Sequence, residues 1–149
     1  MLWQPDTKRI TPEQLVNEVK GIYSGLVMVE KKCVEIVNQR SQAGVKLTND
    51  QWQALIALHR TLLHEHHDFF LASQHPAASP PLKRLAVKYA MPARMWRNGI
   101  HAFLELLRQQ LPESYDHMLA FVYVAYSMMA LLLESVESFE ETWIECLGI

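Results

Sequence analysis

Apolar residues recur along this chain at helical intervals, and no stretch alternates in the manner of a strand between turn signals. Leu15, Val19, Ile22, Leu26, Val29, Cys33 and Ile36 are separated by steps of 4, 3, 4, 3, 4 and 3. That is an a/d seam held for three heptads. Thr11-Pro12-Glu13-Gln14 precedes it and reads as a helix start, with Thr11 as cap, Pro12 where no N–H is needed, and Gln14 able to close a capping box. The seam is expected to pack within the chain's own bundle, with homodimerisation through residues 15–36 as the alternative. Residues 41–46 contain Ala43-Gly44 and read as a loop, and Thr48-Asn49-Asp50-Gln51 repeats the capping pattern. A second helix is predicted over about 52–72, with Trp52, Leu55, Leu62 and Phe69 as its stripe and His59 and His66 on the same face.

Residues 73–81 hold three prolines and cannot continue that helix. Ser79 is placed to cap a short third helix whose apolar side is Leu82, Leu85, Ala86 and Tyr89, and Met91-Pro92 breaks the chain again. A fourth helix is predicted over about 93–111. Trp96, Ile100, Phe103, Leu107 and Leu111 would face in, and Arg94, Arg97, His101, Glu105 and Arg108 would form the solvent stripe. Pro112 ends it. The run from Met118 to Leu133 then contains no charge and is apolar on every side. It falls short of the roughly 20 residues a membrane span needs, and its flanks are acidic, so it reads as a buried helix at the centre of the domain. A last segment, 139–147, spaces Phe139, Trp143 and Leu147 four apart.

The fold expected from this pattern is all-α: an antiparallel bundle of about five or six helices around a central apolar helix at 113–135. A polar arm occupies 1–10, and 11–149 forms a single helical domain. With 149 residues, half of them hydrophobic, one domain with a real core is the size expectation. The abrupt close at Gly148-Ile149 leads us to expect an N-terminal fragment of a longer helical-repeat protein. Cys33 and Cys146 both fall on apolar stripes and read as buried free thiols. Met-Leu-Trp-Gln-Pro-Asp lacks the pattern of a secretory signal, so a cytoplasmic or nuclear location is expected.

Candidate chemistry is sparse. His64-Glu65-His66-His67-Asp68 begins like the zinc-protease pattern, but Asp68 stands where that pattern needs histidine. His64 and Asp68 are spaced to share a metal only if another helix supplied a third ligand such as His101 or His117. No glycine-rich phosphate loop and no nucleophile elbow occurs. The expectation is therefore no enzyme, no cofactor and no metal. Charge distribution says more than the net value of −2. Lys83, Arg84, Lys88, Arg94 and Arg97 lie within fifteen acid-free residues, and the remaining nine basic residues face sixteen acids. A local basic patch on an acidic body fits a discrete anion such as a phosphorylated side chain better than a nucleic-acid track. The bland counterpart is that these residues pair with the acids of the last helices across the bundle.

Three stretches carry a resemblance: Trp52–Leu63, Arg94–Leu111 with Gly99 ahead of Phe103-Leu104-Glu105-Leu106-Leu107, and Trp143-Ile144-Glu145-Cys146-Leu147-Gly148. In their order and spacing the chain resembles the N-terminal helical domain of the Est1-type family, which includes nonsense-mediated-decay relatives, and within it an uncharacterised fungal branch. The resemblance implies a 14-3-3-like fold continued by tetratricopeptide-like helix pairs. It implies a non-enzymatic adaptor that binds a phosphorylated protein partner in RNA surveillance or telomere maintenance; from charge and helix length, direct nucleic-acid binding and a membrane are not expected. One basic residue of the family's phosphate site maps nearest to Arg60. The other belongs to a stretch that directly follows the Leu-Gly, where this sequence has only Ile149. The expected phosphate- or partner-binding set is thus Arg60 with Lys83, Arg84, Lys88, Arg94 and Arg97.

Overall fold

The side chain of Thr11 accepts a hydrogen bond from the Gln14 amide at 3.1 Å, and the Gln14 side chain accepts one from the Thr11 amide at 3.0 Å. This reciprocal cap starts α1, Pro12–Ala43, which ends where Gly44 turns left-handed at φ 66°. Thr48 and Gln51 repeat the same cap and start α2, Asn49–Ser73, three residues ahead of Trp52. The computed structural model describes residues 10–148, with side chains described through Ile144. The expected polar arm, apart from Ile10, and the expected burial of Cys146 therefore lie outside the described residues. Ser79 caps as expected, but the helix it starts is only a turn long. Three single turns follow, α3 at Pro80–Lys83, α4 at Leu85–Lys88 and α5 at Met91–Arg94. Ala90, at φ 51°, makes the bend before α5, and Pro92 sits in that helix's first turn.

From α5 the chain runs on through a π-helical segment, Met95–His101, into α6, Ala102–Gln109, making one continuous rod over 91–109. Then come α7, Tyr115–Ser135, a single 3-10 turn at Glu137–Phe139, and α8, Glu140–Gly148. Every regular element among the described residues is helical, as the periodicity predicts.

Side-chain pairs set the directions. Tyr23 lies beside Phe69, and the Cys33 thiol points at the Leu58 carbonyl, so α1 and α2 run antiparallel. Gly99 lies against Leu63, and Phe103 stacks on His59, so the rod runs antiparallel to α2. His117 stacks beside Trp52 and Ser135 meets His67, so α7 runs with α2 and against the rod. α1 and α7 flank the pair formed by α2 and the rod from different sides. The α1 seam is spent in this arrangement. Leu15, Val19, Leu26 and Cys33 are buried, and Ile22, Val29 and Ile36 are half-buried against the same core. Burial raises the Cys33 thiol pKa to about 12, with the Glu30 charge adding to the effect.

The central helix is α2, a correction to the expectation for 113–135. α2 buries Trp52, Leu55, Leu62, Leu63, Phe69 and Phe70 together with both ring histidines. α7 buries a single face, Phe121, Ala125, Met128, Met129 and Leu132. Among the described residues it is the one helix long and apolar enough to qualify for a membrane span by length and composition alone. Its inner face is nonetheless packed on α2 and the rod. Hydropathy counts apolar groups on one helix; it does not count the neighbours available to cover them. After Ser135 the chain folds back over the ends of α2 and α7, where Trp143 donates its indole N–H to the Val136 carbonyl at 3.0 Å and meets Phe70 edge-on. Trp143 is fully buried and the outer side of α7 stays open.

Candidate interaction surface

The outer side of α7 is formed by residues that the unbroken apolar run assigned to the interior. Between Asp116 and Glu134 no charged side chain occurs. Leu119, Val122, Tyr123, Tyr126 and Leu131 face solvent, with Tyr123 74% and Tyr126 61% exposed. Tyr115 extends the strip toward the start of the helix. The tyrosines were the readable signal: a phenol in an apolar helix is better placed where its hydroxyl reaches water.

Two grooves border the strip. One, of about 410 Å³, lies between the rod and α7, floored by Trp96, Ile100, Leu104 and Met129 and rimmed by His101, Glu105 and Arg108. Arg108 donates to Glu105 at 2.8 Å on an exposed edge, a surface pair of small energetic value. The other, of about 360 Å³, lies between α2 and α7, where Arg60 and His64 face Tyr123, Ser127 and Leu131. α7 is thus a ridge between two clefts, apolar on its crest and polar at its margins.

The six basic residues singled out from sequence are not gathered into one pocket. Arg60 is exposed in the α2–α7 groove and makes no ion pair among the described residues. Lys83, Arg84 and Lys88 are exposed on the short helices beyond the end of α2, where Gln74 donates to the Lys83 carbonyl at 2.9 Å. At 1.5 Å per residue, Arg60 and Gln74 stand roughly 20 Å apart along α2. Arg97 is exposed on the π segment.

Arg94 is not on the solvent stripe. Its guanidinium grips Glu30 of α1 with two hydrogen bonds, of 2.7 and 3.2 Å, and donates a third to the Tyr23 hydroxyl at 3.0 Å. Asn98 adds another to Glu30 at 3.2 Å. The two charged side chains are only 18% and 13% exposed. Burial works against the Glu30 charge, but the bonds from Arg94 and Asn98 hold its carboxyl below the usual range. The Glu30 hydrogen bond in turn raises the Arg94 pKa. The pairing expected with acids of the last helices is not found among the described residues; the one member of the patch that pairs does so with the first helix. Nothing in the α1 pattern marked Glu30, which follows a seam position like any surface acid.

The histidine-rich stretch divides by face. His64 and Asp68 are exposed, and no three His, Cys, Asp or Glu side chains converge to hold a metal among the described residues. His66, expected on the same face as the apolar stripe, is fully buried, and neither ring nitrogen has a partner. Burial lowers its pKa to about 3 despite the opposing pull of Glu30. His59 stacks flat on Phe103 at 4.3 Å and donates from Nδ1 to the Leu55 carbonyl at 2.8 Å. Burial brings its pKa to about 4. Both rings act as neutral aromatic core. Leu111, expected inward, is 40% exposed because the rod has already ended at Gln109. Compared with protein-family models, curated proteins and solved structures, the chain matches none.

Proposed function

We propose that the chain is a non-enzymatic protein-interaction module whose docking surface is the outer face of α7. One observation carries this: a helix without charge from His117 to Leu133 turns Leu119, Val122, Tyr123, Tyr126 and Leu131 to solvent. Contiguous apolar surface of that extent is rare on a monomer that meets no partner, and exposed tyrosines are favoured interface residues. The adjoining grooves give a partner's side chains somewhere to enter. Hydroxyl-radical footprinting at about 1 µM protein tests the surface directly. Tyr123, Tyr126 and Leu119 are expected to be oxidised while Phe121 and Met128 stay protected. Protection of Tyr123 and Tyr126 in a protein of monomer mass refutes the proposal.

A second reading adds a phosphorylated ligand. It is supported by Arg60, set among Tyr123 and Ser127 in the α2–α7 groove, and by the resemblance to Est1-type proteins. The same reading takes the up-and-down order of α1, α2, the rod and α7 as a 14-3-3-like or tetratricopeptide-like bundle, and it places the protein in RNA surveillance or telomere maintenance, in cytoplasm or nucleus. Arg94 has no part in it. Fluorescence anisotropy with phosphoserine peptides and their unphosphorylated twins tests it, at low and high salt. Phosphate-dependent binding lost in Arg60→Glu and weakened by salt supports it. Equal binding of both peptide sets ends it.

A further inference from the structure

We propose that the occupant of the α7 face is a second copy of this chain, seated antiparallel across a two-fold axis that crosses the outer face at the level of Ala125. The inference rests on the reading of α7 as a docking face. Area comes first. Tyr115, Leu119, Val122, Tyr123, Tyr126 and Leu131 are between 40% and 74% exposed. At 150–250 Å² for a whole aromatic side chain and less for Leu and Val, they leave roughly 600 Å² open, about three quarters of the roughly 800 Å² each partner gives to a standard interface.

Symmetry comes second. The charge-free span is bounded by Asp116 and Glu134, and its midpoint is Ala125. An isologous contact about that midpoint sets apolar residues against apolar residues along its whole length. Shape agrees, because α7 is a ridge with a cleft on each flank, so each copy's Tyr123 and Tyr126 can enter a cleft of the other.

Charge sets the limits of the contact. Antiparallel pairing about Ala125 brings the partner's Leu132 to the level of Met118 and the partner's Glu134 to the level of Asp116, so the acids of both copies meet only at the solvated ends of the interface, where water and salt screen them. The seam at residues 15–36 cannot serve this purpose without opening the core, since Leu15, Val19, Leu26 and Cys33 are buried in it. An anionic lipid surface is disfavoured by the acids at the limits of the face, Asp116 and Glu134, and by Glu105 on the rim of the rod–α7 groove.

Sedimentation equilibrium from 1 to 200 µM, with radical footprinting at both ends of that range, tests the inference. The expected result is a mass rising to twice that of one chain, with Tyr123 and Tyr126 losing reactivity as it rises. Tyr126→Lys and Val122→Glu, both at exposed positions, are expected to raise the dimer dissociation constant at least 100-fold while the helical circular dichroism is unchanged. A single-chain mass at 200 µM, with Tyr123 and Tyr126 reactive throughout, overturns the second copy but leaves the docking face standing. A single-chain mass with both tyrosines protected overturns the docking face as well. A dimer indifferent to Tyr126→Lys and Val122→Glu also overturns the inference, because it forms elsewhere.

Discussion

Replacing Arg94 by methionine removes a charge from a pair that the bundle has enclosed. The Arg94 and Glu30 side chains are 18% and 13% exposed, so solvent replaces little of what is lost. Glu30 keeps only the Asn98 bond, and Tyr23 loses the donor to its hydroxyl. Taking away one partner of a buried pair costs about 3–5 kcal/mol, and the lower end applies here because part of the pair still meets water. Urea unfolding followed at 222 nm, with a slope of about 2 kcal/mol per molar, should show the midpoint falling by about 1.5 M. Arg97→Met, at an exposed position that makes no ion pair among the described residues, should stay within about 0.5 kcal/mol of the parent. Glu30→Met combined with Arg94→Met should recover much of the loss, because a buried pair exchanged for apolar side chains of similar bulk is close to neutral. An Arg94→Met midpoint within 0.3 M of the parent, a margin of roughly 0.6 kcal/mol at that slope, would falsify the structural role. So would a double variant that falls by the full total of the two single losses.

The remaining predictions concern the core. His59 and His66 have pKa values of about 4 and about 3 in the fold, below the ordinary value of 6.5, so between these limits the unfolded chain binds more protons than the native one. Their contribution is complete above pH 6.5 and is lost as pH falls, by about 2 kcal/mol each at pH 5; urea midpoints at pH 7 and pH 5 measure it, and a His66→Leu variant should lose about half of the difference. Gly99→Val should cost about 1–3 kcal/mol, because a Cβ at that position already lies 3.1 Å from a Leu63 methyl in a filled core, and an unchanged melting temperature would show that the rod can shift away from α2. The Cys33 thiol, raised to about 12, should resist alkylation at pH 8 until the protein unfolds, and mass spectrometry of iodoacetamide-treated native protein reads this directly.

How much was legible in the sequence depends on the range of the interaction. Both capping boxes are three-residue events, Thr11 with Gln14 and Thr48 with Gln51, and each helix starts where its box says. The all-helical class and the inward seam of α1 follow from periodicity, which a chain displays without knowing its neighbours. Cys33, Leu62 and Phe103 were assigned to the core on the same ground and are buried.

What tertiary structure alone decided is which apolar faces find a partner and which charges do. α2 became the centre because α1, the rod and α7 all pack on it; α7, more apolar, met neighbours on one side and kept Tyr123 and Tyr126 in water. Arg94 and Arg97 share one sequence pattern, three residues apart on the same helical rod. One reaches Glu30, sixty-four residues away, and the other reaches solvent. Local spacing determines the face a side chain occupies on its own helix. The identity of whatever lies across from that face is set by how the whole chain closes on itself.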